Sequence, residues 1–422
     1  MRKSTAARAA AAAAAALLTA TACAGQRGDD DGASAAGGDC RTTGVTGTTI
    51  KLGGIYPLSG PASAYGTISQ GVSAYFHHVN DKGGIRGRKV EFVVRDDGYQ
   101  PPKAVEEARR LVEQEKVFAV FQTLGTPSTA AVRDYLNKRQ VPQPFVATGA
   151  SVWGTDDQHP WTIGWQPNYV AEARVYAKYL RDARPRARVA VLYQNDDFGK
   201  DLLGGFRKAV AGSGVEVVAT QSYEVTDPSV SAQMTSLARS RADVLLDVTT
   251  PKFASQALAA DARNTAWNPL HIVNNVASSA AVLKPVGFRN VQGVVSATYF
   301  KDPADRQWAG DPEIRTYKEA LHKYEPSADP DNQFNAYGWA VASSLHKALD
   351  TMKCPTREGL RDAVRHLRDV KVGLLLPGVT LSTGPGDAFP IETMRLMRFK
   401  GERWQLFGDP VDTRKEFGPL TK

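Results

Sequence analysis

Twice along this chain, short apolar runs alternate with amphipathic segments of helical spacing, and that rhythm limits the fold more than any other feature. The first series reads "TIKLGGIYPL", a helix over 66–80, "KVEFVVRDD", a helix over 102–114, "VFAVFQT", a helix over 127–138 and "PFVAT". After "WTIGWQP" the pattern resumes with a helix over 169–183, then "RVAVLYQ", 198–211, "VEVVATQSY", 230–239, "ADVLLDVTT", 253–262 and "LHIVNN". Apolar runs of strand length between amphipathic helices imply βαβ units, whose parallel sheets are covered on both faces. Each series is long enough for its own core, so the expectation is α/β with two doubly wound parallel-sheet lobes. The later part changes character, with helices over 312–324, 332–349 and 357–367. It closes on an alternating hairpin, "IETMRLMRFKGERWQLFGD", that turns at "KGER". No fixed-period repeat accompanies the alternation.

Open α/β sheets bind ligands beyond the carboxyl ends of their strands. Those ends read "YPLSGPASAYG", "TLGTPSTAA" and "ATGASVWG" in the first series, and "YQNDDFGKD", "VTTPKF" and "NNVASS" in the second. Glycine, small hydroxyls and aromatics recur there, whereas catalytic residue types do not. In "TLGTPSTAA" a helix starts among small residues, so unpaired N–H groups and the positive end of the helix dipole suit a small anion.

The amino-terminal segment reads as an export signal: Arg2, Lys3 and Arg8, then an apolar stretch over 9–18, then small residues before Cys23. That stretch is shorter than the ~20 residues a bilayer crossing needs. "AGQRGDDDGASAAGGD" follows, a polar tether with nothing to bury, spanning roughly 20–25 Å as a coil. "TATAC" resembles a bacterial lipobox, with Ala20 where an aliphatic residue is usual, so the segments expected are a signal peptide over 1–22 and, as that resemblance implies, a lipid-anchored tether over 23–43. Removing residues 1–22 takes away three positive charges and no negative ones, so a formal +8 becomes +5. With Cys23 lipidated, Cys40 and Cys354 remain in an oxidising compartment, and a bridge between them is expected beside the alternative of two free thiols.

Several function classes lack their signatures. There is no Walker loop, dinucleotide fingerprint, nucleophile elbow, H-E-x-x-H or C-x-x-C. The seven histidines are scattered, which argues against a metal centre, and no cofactor is expected. Asp96–Asp97 and Asp196–Asp197 follow strands and read as loop acids or helix N-caps. Charges are interspersed without a basic stripe, which argues against nucleic acid as a partner.

The blocks "IYPLSGPASAYG", "VNDKGGIRGRKVEFVVRDDGYQP" and "TLGTPSTAAV" resemble the type I periplasmic binding proteins, specifically the branched-chain amino acid (leucine/isoleucine/valine-type) substrate-binding proteins of ABC importers. The family resemblance implies two lobes joined by a three-segment hinge near Trp165, Tyr299 and Thr380. Lobe 1 would hold 44–165 plus 300–380, and lobe 2 would hold 166–299 plus 381–422. It also implies a non-enzymatic, lipid-anchored monomer outside the cytoplasmic membrane, which captures a small carboxylate and hands it to ABC permease subunits. The competing readings are a ligand sensor for a signalling partner and an exported hydrolase.

The resemblance places the ligand carboxylate at two first-lobe junctions, on Thr126 with Ser128, and on "GAS" through Ala150 and Ser151. Tyr65 matches the family's first aromatic contact, Phe198 stands in a usual tyrosine place, and Thr250 replaces another tyrosine. Asn275 aligns where amino-acid readers carry a glutamate for the ammonium. A buried ammonium without a counter-charge is expensive. Asp247 is the remaining candidate acid, and an aromatic, keto- or hydroxy-carboxylate competes with an amino acid as the guest.

Overall fold

The computed structural model describes residues 42–155 and 158–420. The signal segment, Cys23, the tether and Cys40 lie outside them; Cys354 is disulfide-bonded. The first sheet begins with β1 (Thr49–Tyr56), flanked in parallel by β2 (Lys89–Asp96) and β3 (Ala119–Val120). β4 (Gln143–Val146) and β5 (Thr162–Gly164) form a parallel pair beside it. Val120 N–H donates to Pro142 O (2.9 Å), and Leu124 bridges Ala147 in parallel, so the spatial order is β2-β1-β3-β4-β5.

The run "VFAVFQT" forms a shorter ladder than its composition suggests. Gln122 has φ +61° and faces Phe145, which has φ +56°, and the Gln122 side-chain amide donates to the Phe145 carbonyl. Two non-glycine residues in left-handed conformation cannot hold regular pairing, so the ladder breaks just before the loop carrying Thr126.

The second sheet repeats the order. β6 (Arg188–Gln194) lies between β7 (Glu216–Tyr223) and β8 (Val244–Val248), followed by β9 (Leu270–Val273) and β10 (Val295–Thr298), all parallel. β11 (Thr393–Lys400) then adds antiparallel to β10 and turns into β12 (Arg403–Leu406). The turn is two residues, Gly401-Glu402, with Gly401 at φ +66°, as the "KGER" reading requires. β13 (Val411–Asp412) pairs with the start of β11. β4, β8 and β10 are buried at every residue, as expected for strands covered on both faces.

The helices α1 (Ile68–Asp81), α2 (Pro101–Arg109), α3 (Thr126–Lys138) and the single turn α4 (Val152–Thr155) connect the first sheet. α5 (Tyr169–Ala183), α6 (Asp197–Val210), α7 (Ser231–Ala238), α8 (Pro251–Arg263) and the short α9 (Ala280–Leu283) belong to the second. After β10 the chain returns to the first sheet: α10 (Pro312–Tyr324) and α11 (Gln333–Asp350) pack on α1, and α12 (Arg357–Arg365) follows. The α1–α11 contact depends on absent side chains. A Cβ at Gly71 would stand 1.9 Å from Asn335 O, and one at Gly338 would stand 2.1 Å from Ile68 O. α13 (Thr413–Phe417) packs against α5.

The chain therefore passes between the sheets after β5, after β10 and before β11. Rings brace these passages: Trp165 lies edge-on to Tyr299 and Tyr337 at 5.7 and 5.1 Å between centroids. Trp165 Nε1–H donates to Ser344 Oγ (2.9 Å), and the Tyr337 hydroxyl donates to Gln166 Oε1 (3.0 Å).

Candidate functional site

A strand order of 2-1-3-4-5 has its topological switch between the first and third strands, where connections leave in opposite directions and open a crevice. Both sheets have one. In the first it lies beyond β1 and β3, which deliver Tyr65 and Thr126; in the second it lies beyond β6 and β8, which deliver Phe198 and Thr250. These four residues, with Asn275 beyond β9, line one cavity between the sheets. Five of the eight residues expected from the sequence are thus brought together.

The first-sheet wall is built around Gly125 and Thr126. Gly125 has φ +90°, and a Cβ there would come within 2.4 Å of the Tyr99 ring. Glycine alone allows the ring to close over this turn. No side chain caps the start of α3. The same holds for α8, which starts after Thr250, a residue that lines the cavity. Uncapped helix starts leave N–H donors and positive dipole ends for a guest. Beside them, Thr126 Oγ1 lies 2.6 Å from Thr148 Oγ1. The Tyr169 phenol faces both hydroxyls and the Gly149 N–H; burial pushes it up to about 12, partly offset by those three groups.

The second-sheet wall is a braced polar frame behind rings. Asp196 caps α6 by accepting from Gly199 N–H (3.2 Å), which fixes Phe198 against Tyr169 at 5.0 Å between centroids. Gln194 Oε1 accepts from the Tyr223 hydroxyl (3.0 Å) and the Thr250 hydroxyl (3.3 Å). The Asn275 N–H donates to Glu172 Oε1 (2.5 Å), and its side-chain amide donates to Ala297 O (2.6 Å). Glu172 also accepts from the Tyr176 hydroxyl (2.7 Å), and burial pushes its carboxyl up to about 7 despite these donors.

The other three expected residues stand elsewhere. Ser128 is fully buried and donates to Asp97 Oδ2 (2.6 Å), while Asp97 Oδ1 accepts from Tyr99 N–H (2.9 Å). Its work is to hold Tyr99 at φ +62° over Gly125. Ala150 and Ser151 line a neighbouring crevice that shares Thr126 with the cavity, where Ser151 grips Asp201 of α6. Asp247 does not reach the cavity: its Oδ2 lies 3.2 Å from Nε2 of the buried His271, whose Nδ1 lies 2.9 Å from Asp261 Oδ2. Asp96 is the last residue of β2 and ties the adjoining loops, accepting from Leu58 N–H, Ser59 Oγ and Gly98 N–H.

Sequence reasoning missed Tyr99, Gln166, Tyr169, Tyr299, Phe334 and Tyr337, which also line the cavity. Most sit on the passages between sheets or on α11, away from the strand ends searched first. The aromatic density of "WTIGWQPNY" was the available signal. Among the described residues, every side chain lining the cavity is uncharged, and no group of three or more His, Cys, Asp or Glu could hold a metal ion.

A cavity closed between two switch points, walled by rings and fringed with hydroxyls and helix starts, defines a solute-binding protein of the two-lobed kind. The family model described as "Periplasmic binding protein" matches residues 49–403. The chain belongs to that family, as a type I member of the branched-chain amino acid group. Leu/Ile/Val-binding protein homolog 7 of Brucella abortus (strain 2308) is 25% identical over 319 residues, covering 72% of this chain and 77% of the relative. A fatty acid ABC transporter substrate-binding protein from Thermomonospora curvata superposes with TM-score 0.77 at 24% identity, covering 90% of this chain and 96% of that one. A solute-binding protein of an ABC transporter from R. palustris, in complex with benzoate, superposes with TM-score 0.72 at 19% identity, covering 85% and 96%. The family is extracytoplasmic, and no helix among the described residues is long and apolar enough to cross a membrane.

Proposed function

We propose that this protein captures a small monocarboxylate with an apolar, aromatic or branched body and delivers it to an ABC permease. The observation that carries the reading is the chemistry of the cavity: uncharged side chains, rings on both walls, and the uncapped start of α3 beside Thr126. A carboxylate there is neutralised by N–H and O–H donors without a cation. Each such bond to a charged group contributes roughly 1.5–3 kcal/mol. An α-amino acid would bring an ammonium to a wall without a charged side chain, behind which Glu172 already accepts from Asn275 N–H and Tyr176. An aromatic acid or a branched keto acid fits better. The ligands named for the relatives, branched-chain amino acids, a fatty acid and benzoate, share a carboxylate on an apolar body.

On this reading the lobes are 44–165 plus 300–380 and 166–299 plus 381–422, and they close over the guest as a hinge. Cys23 carries the lipid anchor, and Cys354 pairs with Cys40. The test is a thermal-shift screen against benzoate, 4-methyl-2-oxopentanoate, octanoate, L-leucine and L-valine. A ligand at a hundred times its Kd stabilises by about 2.7 kcal/mol. Benzoate or the keto acid should raise Tm most; a response confined to the two amino acids would overturn the proposed ligand class.

A further inference from the structure

The junction after β4 is built to hold a carboxylate, and it holds one that belongs to the protein. Ser151 N–H donates to Asp201 Oδ2 (2.7 Å), and Ser151 Oγ donates to Asp201 Oδ1 (2.9 Å). A single residue thus grips both oxygens of a carboxylate 50 positions away in sequence, carried by α6 of the other sheet. Both bonds are charge-assisted, the stronger class. By contrast, Ser279 Oγ and Asn332 Oδ1, another contact between the two halves, are 3.4 Å apart. Neither Ser151 nor Asp201 lines the central cavity, whereas Thr126 lines both that cavity and the crevice where the pair sits.

We propose that Ser151 and Asp201 form a clasp across the cleft mouth, positioning the lobes in the closed arrangement without touching the guest. The proposal uses the hinge reading given above but not the identity of the guest. It gives the second junction of the first lobe a different task from the first: Thr126 faces the cavity, and Ser151 faces the opposite lobe. The carboxylate of Asp201 does at this turn what a bound anion does at an uncapped helix start, satisfying an amide and a hydroxyl together.

The test uses the purified chain without added solute. Hydrogen exchange reads the Ser151 amide, small-angle scattering reads the separation of the lobes, and far-UV circular dichroism reports that each variant is folded. Asp201→Ala should raise exchange at position 151 by about tenfold or more, the equivalent of one charge-assisted bond, and should enlarge the radius of gyration. Asp201→Asn, which keeps an acceptor but loses the charge, should fall between. Ser151→Ala removes one hydroxyl at a partly exposed position and should move both readouts in the same direction by less. A folded Asp201→Ala or Ser151→Ala protein with wild-type exchange and scattering would overturn the clasp. Because no solute is present, that result would leave the ligand class to be decided by the thermal-shift screen.

Discussion

The two sheets share a strand order but use their acids in opposite ways. In the first, carboxylates shape loops: Asp96 collects donors from Leu58, Ser59 and Gly98, and Asp97 ties Tyr99 to Ser128. Burial opposes ionisation of Asp96, yet the bonds from Ser59 and Gly98, with Lys103 nearby, take it down to about 2. In the second, charge is buried within the lobe: His271 stands between Asp247 and Asp261, and Glu172 backs Asn275. Burial alone would lower His271, but hydrogen bonds to the two carboxylates outweigh it and raise the ring to about 9. The difference teaches that the same topology supplies a loop wall rich in donors on one side and a wall braced by buried polar groups on the other. The donor wall suits first contact with an anion; the braced wall suits a lid.

The largest effect that would sharpen this contrast is His271→Ala. It leaves the buried Asp247 and the partly buried Asp261 without their shared partner, and losing one partner of a buried ion pair costs about 3–5 kcal/mol. Urea denaturation should show that loss, and a wild-type midpoint would break the account of the second lobe. Gly125→Ala comes next: a left-handed backbone and a contact with the Tyr99 ring together cost about 2–4 kcal/mol. The same titration measures it, and a neutral outcome would mean Tyr99 does not close over that turn.

Thr126→Ala should weaken whichever screened acid binds by about tenfold, and Thr250→Ala by less, because Thr250 already bonds within its own lobe. Calorimetry ranks the two, and the reverse order would move the anion to the second lobe. The smallest effect is on pH dependence. The raised His271 contributes stability that is complete below its ordinary 6.5 and is lost as pH rises through about 9. Glu172, raised from 4.5 to about 7, acts in the same direction at lower pH, since its protonated form is the one burial favours. Melting temperature should therefore fall from pH 6 to 9 in the wild type. In Asp261→Asn, which weakens one brace on the ring, the alkaline part of that fall should shrink.

Much of this was legible beforehand. Strand–helix alternation and the "KGER" hairpin follow from periodicity, and reading strand ends in order marks the stretches in which the family resemblance picks out Tyr65, Thr126, Phe198, Thr250 and Asn275. Ser128 and Ser151 carry the same local signal as Thr126, a hydroxyl at a helix start, yet one turns inward to Asp97 and the other across to Asp201. Local pattern marks a donor; it does not say which acceptor arrives. Tyr169 and Tyr337 were missed because they come from a passage between the sheets and from α11, which no rule about strand ends includes; Tyr299 follows β10, a strand absent from the sequence reading.

By itself the sequence determined the βαβ series and the small residues at strand ends that let backbone donors face a crevice, because periodicity and helix starts are local properties of the chain; the strand order that makes the two switch points came with the tertiary structure. Only the tertiary structure decided which hydroxyls face the cavity, which acid meets Ser151 and which rings complete the wall. Those choices depend on contacts between residues tens to hundreds of positions apart, brought together when two separately built sheets pack against one another.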